Sequence, residues 1–169
     1  MIRLLQPSDA EQYYALRLEA LQENPEAFAT SYEEVIRNKD AIKQYEKSFA
    51  QKNFYTFGAF EDEKLIGMIT LLPESKEKLK HKANIFAMYV TPSFREKGIG
   101  YGLLDAAIKK ARELDRIISI NLTVVSINHG AKALYNKFGF QTFGLEERAL
   151  KINNVYFDEE YMTLSLDKE

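Results

Sequence analysis

Ser93–Leu104, SFREKGIGYGLL, places three glycines within five residues, directly before an apolar run. Glycine inside a helix costs about 1 kcal/mol relative to alanine, yet the pattern that follows is helical. Ile99, Leu103, Ala107, Ala111 and Leu114 recur at steps of three and four, which predicts an amphipathic helix. Ahead of the stretch, ANIFAMYV (83–90) reads as a strand stopped by Thr91-Pro92. The piece is therefore strand, glycine-rich loop, helix. A first helical turn offers amide N–H groups with no internal partner, and the macrodipole adds roughly half a positive charge. That end suits an anion such as a pyrophosphate. Residues without a Cβ let phosphate oxygens approach the main chain, and Arg95 and Lys97 stand at the rim. The same glycines also serve a tight turn and close helix–sheet packing. By themselves they favour neither use.

Working outward, IRLL (2–5) reads as an opening strand. Ser8 and Glu11 have the spacing of a capping box, followed by a helix to about Glu23 with Tyr13, Leu16, Ala20 and Leu21 on one face. Ser31 and Glu34 repeat the box ahead of a second helical region, expected to last to about Ala50. FYTFGAF and KLIGMITLL, joined through Glu61-Asp62-Glu63, predict a hairpin. PESKEKLKHK is a solvated loop, and IISINLTVV (117–125) is a strand expected to be covered on both faces. HGAKALYNKF (129–138) is a short helix ended by Gly139. Strands near 140–151 and 155–166 meet through Asn153-Asn154, which tolerate positive φ. The order β-α-α-β-β-β-α-β-α-β-β predicts an α/β layer structure with a mixed sheet, in one domain over residues 1–169.

Composition narrows the chemistry. The 169 residues carry a net charge of −2, with 46% hydrophobic and 28% charged residues, so nothing draws the chain generally to nucleic acid or anionic membranes. The absence of cysteine removes disulfides and thiolate nucleophiles, and His81 and His129 are too few for a metal cluster. No apolar run approaches the ~20 residues of a membrane span, and the N-terminus turns polar after five residues. A cytoplasmic protein is expected. The glycine spacing also fits nucleotide folds badly. A P-loop lysine followed by Ser or Thr is missing, and Gly98, Gly100 and Gly102 do not form the dinucleotide fingerprint.

At Arg95-Glu96-Lys97-Gly98-Ile99-Gly100 the chain resembles the GNAT superfamily of N-acetyltransferases, whose signature is Arg or Gln, two residues, Gly, one residue, then Gly or Ala. SINHGAKALYNKFGF (126–140) resembles a second family segment through Asn128, Ala131, Ala133, Tyr135, Gly139 and Phe140. The resemblance implies a mixed, mostly antiparallel central sheet with helices on both faces. It also implies transfer of an acetyl group from acetyl-CoA to an amine, without a metal. Arg95, Glu96, Lys97, Gly98, Ile99, Gly100, Tyr101 and Gly102 would hold the coenzyme pyrophosphate, and the strand edge at Met88, Tyr89 and Val90 the pantetheine arm. The strands ANIFAMYV and IISINLTVV would splay apart to admit it. An amide near Val90 would polarise the thioester.

Tyr135 would be the general acid, because a phenol of pKa ~10 keeps its proton at neutral pH until a thiolate needs it. It would also line the coenzyme site. Asn128 would bind pantetheine, cap the following helix, or do both. Many family members carry a glutamate on the strand before the glycine loop, whereas residues 84–89 here are Asn, Ile, Phe, Ala, Met and Tyr. Water relayed by Tyr89 or Asn84, or a carboxylate such as Glu33, Glu34 or Asp158, is left as the base. Phe28, Tyr32, Glu33, Tyr156 and Asp158 lie in the segments that flank the acceptor in this fold. Acids with aromatics suit a cationic amine, whether a small molecule or a protein or peptide amine. Other readings are an acyl-CoA-binding sensor or scaffold without turnover, and a nucleotide-binding regulator. Apolar terminal strands leave a homodimer and a monomer both open.

Overall fold

The computed structural model describes residues 1–167. Its strands are β1 (Ile2–Leu4), β2 (Tyr55–Glu61), β3 (Lys64–Pro73), β4 (Lys82–Val90), β5 (Ser119–Val125), β6 (Gln141–Ile152) and β7 (Val155–Ser165). Its helices are α1 (Ala10–Glu23), α2 (Tyr32–Arg37), α3 (Ala41–Ala50), α4 (Ile99–Glu113) and α5 (His129–Phe138). One seven-stranded sheet runs β1-β2-β3-β4-β5-β7-β6. Every neighbouring pair is antiparallel except β4 with β5. This is the mixed, mostly antiparallel architecture that the family resemblance implies.

Two apolar clusters cover the two faces of the sheet. Ile66, Ile69 and Leu71 of β3 pack with Leu103, Leu104 and Ala107 of α4 and with Tyr135 of α5. Met68 of β3 and Tyr89 of β4 pack with Tyr13, Leu16, Ala20 and Leu21 of α1. Adjacent positions of β3 thus serve opposite clusters, as the period of two requires, and both faces of this strand are buried.

Local sequence decides several boundaries differently from the expectations above. The Ser8–Glu11 box does not form. Residues 7–9 make a 3-10 turn capped by Gln6, whose N–H donates to the Asp9 carboxylate at 2.7 Å. Asp9 also accepts from Arg3 Nη1 and Nη2 at 2.8 and 2.9 Å, and the guanidinium holds its carboxyl below the usual range. The Ser31–Glu34 box does form, but the helical region behind it is two helices rather than one. The chain breaks at 38–40, where Asp40 N–H donates to Asn38 Oδ1 at 3.1 Å, a local bond that competes with helix. The two hairpin turns, Asp62-Glu63 and Asn153-Asn154, have positive φ at both residues, the geometry that fits the twist of the joined strands.

Candidate active site

The parallel pair β4–β5 is short. Only Lys82, Ala83 and Asn84 stand opposite Ser119, Ile120 and Asn121. Beyond them, residues 85–90 of β4 and 122–125 of β5 have no register partner in each other. A β-bulge drives them apart. The register against β3 shifts between Met68 and Thr70, and Ala87 of β4 takes φ +54°, a conformation costly for a residue with a Cβ. A cleft of about 540 Å³ fills the opening. Residues 84–88 of β4, residues 121–125 of β5, and Asn128, Ala131 and Tyr135 of the segment that follows line it.

Helix α4 begins beside the end of β4. Gly98 is its N-cap, with φ +80°, a value that glycine adopts without strain. A Cβ placed there would meet nothing within 4 Å, so the approach to the first turn is open. Gly100 and Gly102 serve packing as well. A Cβ on Gly100 would stand 3.3 Å from Met88 Cε, and one on Gly102 would stand 2.6 Å from Ile2 Cδ1. An open approach at Gly98 and close packing at Gly100 and Gly102 thus coexist at successive positions of one helix.

The flanking residues are held individually. Arg95 donates from Nε to Val90 O and from Nη2 to Asn24 Oδ1, both at 2.8 Å, and lies over the Tyr89 ring. It ties the end of β4 to the end of α1 rather than standing free at the loop rim. Lys97 lies over the Phe94 ring, Glu96 has φ +61°, and the Tyr101 ring packs on Phe138. Met88 lines the cleft. The Tyr89 side chain is buried in the α1 cluster and donates to Glu19 Oε1 at 3.0 Å. Burial and that carboxylate push its pKa up. Asn84 donates to Glu74 at 2.9 Å. Both residues offered for a water relay therefore have partners outside the cleft.

Asn128 caps α5, its Oδ1 accepting from Ala131 N–H at 3.1 Å, while the residue also lines the cleft. Tyr135, about two turns further on, is 5% exposed and packs edge-on against Phe140. Among the described residues its hydroxyl has no hydrogen-bond partner, and burial pushes its pKa up to about 12. The phenol thus keeps its proton more firmly than a free tyrosine.

The residues expected around the acceptor do not converge. Only Phe28 lines the cleft. Tyr32 packs against the α1 cluster. Glu33 and Tyr156 are exposed, and Tyr156 lies beneath Arg148 and Lys151. The Asp158 carboxylate accepts from Arg148 N–H at 2.8 Å. Strand alternation explains the last case. In Asp158-Glu159-Glu160 the residue on the cleft is Glu159, and Glu160 is paired with Lys132 at 2.6 Å. Burial and the cross-strand neighbour Glu146 raise the pKa of Glu159. Tyr161, also on the cleft wall, hydrogen-bonds Glu146. Arg17 of α1 is a further residue not expected there. Its signal was a cation four residues after Tyr13, on the buried face of α1.

The arrangement fits a coenzyme with a pyrophosphate and an extended amide-bearing arm. An accessible helix N-terminus lies next to an unpaired strand edge, and a proton donor borders the same opening. Among the described residues no helix is long and apolar enough to cross a membrane, and no group of three or more His, Asp or Glu side chains is placed to hold a metal ion.

The family model for the acetyltransferase (GNAT) family matches residues 13–140. Probable N-acetyltransferase YjcK of Bacillus subtilis (strain 168) is 24% identical over 172 residues, covering 96% of this chain and 92% of that protein. L-amino acid N-acetyltransferase AaaT of Escherichia coli (strain K12) is 27% identical over 101 residues, 60% of this chain and 62% of that protein. The crystal structure of a GNAT-family acetyltransferase from Streptococcus pneumoniae superposes with a TM-score of 0.87 at 23% identity, covering 98% of this chain and 99% of that one. The chain belongs to the GNAT family of acetyltransferases, enzymes that take the acetyl group from acetyl-CoA.

Proposed function

We propose that the protein is an N-acetyltransferase acting on a primary amine by direct attack, with Tyr135 as general acid and Glu159 as general base. When bound, acetyl-CoA supplies a carbonyl carbon that takes the amine lone pair as its bond to sulfur breaks. The amides of the first turn of α4, with the loop from Arg95, hold the diphosphate. The free edge of β4 at Met88–Val90 and the side chain of Asn128 receive the amide-bearing arm.

Tyr135 holds a proton at Oη for the departing thiolate. Glu159, whose raised pKa makes it a stronger base than a surface glutamate, accepts the proton that the amine gives up. Atoms balance: the nitrogen gains the acetyl group and loses one proton to Glu159, and the sulfur gains one from Tyr135. The observation that carries this reading is a buried phenol without a partner on the wall of a cleft opened between two parallel strands.

Calorimetry with coenzyme A, followed by thiol release from acetyl-CoA over a panel of primary amines, tests it. Saturable heat and amine-dependent thiol release are expected. Binding without amine-dependent release would leave a coenzyme-binding module in place of an enzyme.

A further inference from the structure

A second cavity of about 500 Å³ lies beside the cleft. The two share four residues, Arg17, Thr30, Phe86 and Ala87, so the β4 bulge is the partition between them. The walls of the second cavity are mainly apolar and aromatic, with Val35, Tyr45, Phe54 and Leu72 among them.

Among the described residues Arg17 is the one cation lining either space. Its Nη1 is buried and has no hydrogen-bond partner. Among the described residues no carboxylate lies within 4.0 Å of the guanidinium. The ring of Phe28, 4.7 Å from Cζ, and the neighbouring Tyr45 hydroxyl, which interacts with the guanidinium, hold the group in place without neutralising it. The acid that shares the second cavity, Glu34, has its carboxylate bonded to Ser31 N–H at 2.7 Å. Glu159 stands on the cleft wall. A buried donor on a charged group left unmatched costs about 1–3 kcal/mol or more, and the natural complement of a guanidinium is a carboxylate.

We infer that Arg17 anchors a carboxylate of the acceptor, so that the preferred substrate is a small amino acid-like amine with an apolar body. The carboxylate pairs with Arg17, the apolar body fills the second cavity, and the amine passes the partition at Ala87 into the cleft. This inference rests on the acetyltransferase reading and replaces the expectation of recognition by acids and aromatics. The cluster expected to attract a cationic amine is dispersed, and the side chain that keeps an unmatched buried donor at the partition is positive.

The test compares matched acceptors at pH 8 in the thiol-release assay: L-phenylalanine with L-phenylalaninamide, and L-methionine with L-methioninamide. The amide has the less basic amine, so ionisation alone favours the amide. The acids are expected to exceed the amides in kcat/KM by roughly 10- to 100-fold, mainly through KM. Arg17→Gln should bring that ratio to one or below, the side that amine ionisation favours, and Arg17→Lys should retain part of the preference for the acids. Coenzyme A titration checks that each variant is folded. N-acetyl-L-phenylalanine, titrated with coenzyme A present, should bind the unaltered protein and not Arg17→Gln.

Amides acetylated as well as the acids, or a preference that survives Arg17→Gln, overturns the inference while leaving acetyl transfer intact. So does the absence of heat from the N-acetyl acid with a protein that binds coenzyme A. Failure of the unaltered protein to bind coenzyme A overturns the underlying reading and this inference together.

Discussion

Tyr135→Phe is expected to lower kcat by about 10²- to 10⁴-fold, the usual contribution of a positioned proton donor, with coenzyme A affinity almost unchanged. The two effects separate because of how the side chain is held. The ring is buried against Phe140, and phenylalanine keeps that contact. Among the described residues the hydroxyl has no hydrogen-bond partner, so its removal orphans nothing and costs little stability. The pH profile gives an independent check. A pKa raised to about 12 means that the fold favours the neutral phenol, so the donor stays protonated through the whole working range. Activity should rise as the base and the acceptor amine lose their protons, then stay level, with no loss from Tyr135 until pH nears 12. Steady-state kinetics between pH 6 and 10.5 measure this. Full turnover in Tyr135→Phe across that range would remove the phenol from the mechanism.

Leu103→Ala should be strongly destabilising. Leu103 is fully buried, at the contact of α4 with the sheet. Its Cδ1 lies 3.0 Å from where a Cβ on Gly67 would stand, so the leucine rests directly on the β3 backbone. Little can move in to fill the space, and core Leu→Ala changes of this kind cost about 3–5 kcal/mol. For a chain of this size that lowers Tm by roughly 10 °C. Urea denaturation with circular dichroism reads the loss. Coenzyme A at a hundred times its Kd should return about 2.7 kcal/mol to any variant that still binds it. A loss below 1 kcal/mol would mean that α4 is held by other contacts.

Much of this was legible in the sequence because it rests on local rules. The glycine loop, the α4 periodicity, the Gly139 stop and the Asn153-Asn154 turn each express a backbone requirement confined to a few residues. The donor half of the site follows from those rules, since it is largely main chain. The acceptor half depends on which way side chains face once elements pack, which no local pattern expresses. Three consecutive acids in β7 present one to the cleft, and only the strand register says which. Arg17 lies on a helical face otherwise occupied by Tyr13, Leu16, Ala20 and Leu21. That stripe has the pattern of a core face, which hides the cation within it. The break at 38–40 contains neither glycine nor proline, and the Asp9 ion pair depends on β1 lying alongside.

The second cavity is built entirely from residues between Tyr13 and Ala87, whereas the glycine-opened helix, Asn128 and Tyr135 all follow Ala87 in the chain. On the proposed roles, recombination at that point would exchange choosiness toward the acceptor while inheriting the glycine-opened helix, Asn128 and Tyr135 together. A lineage built this way changes its diet by replacing one contiguous half of the gene, and a chimera spliced at Ala87 should take the acceptor preference of its N-terminal parent.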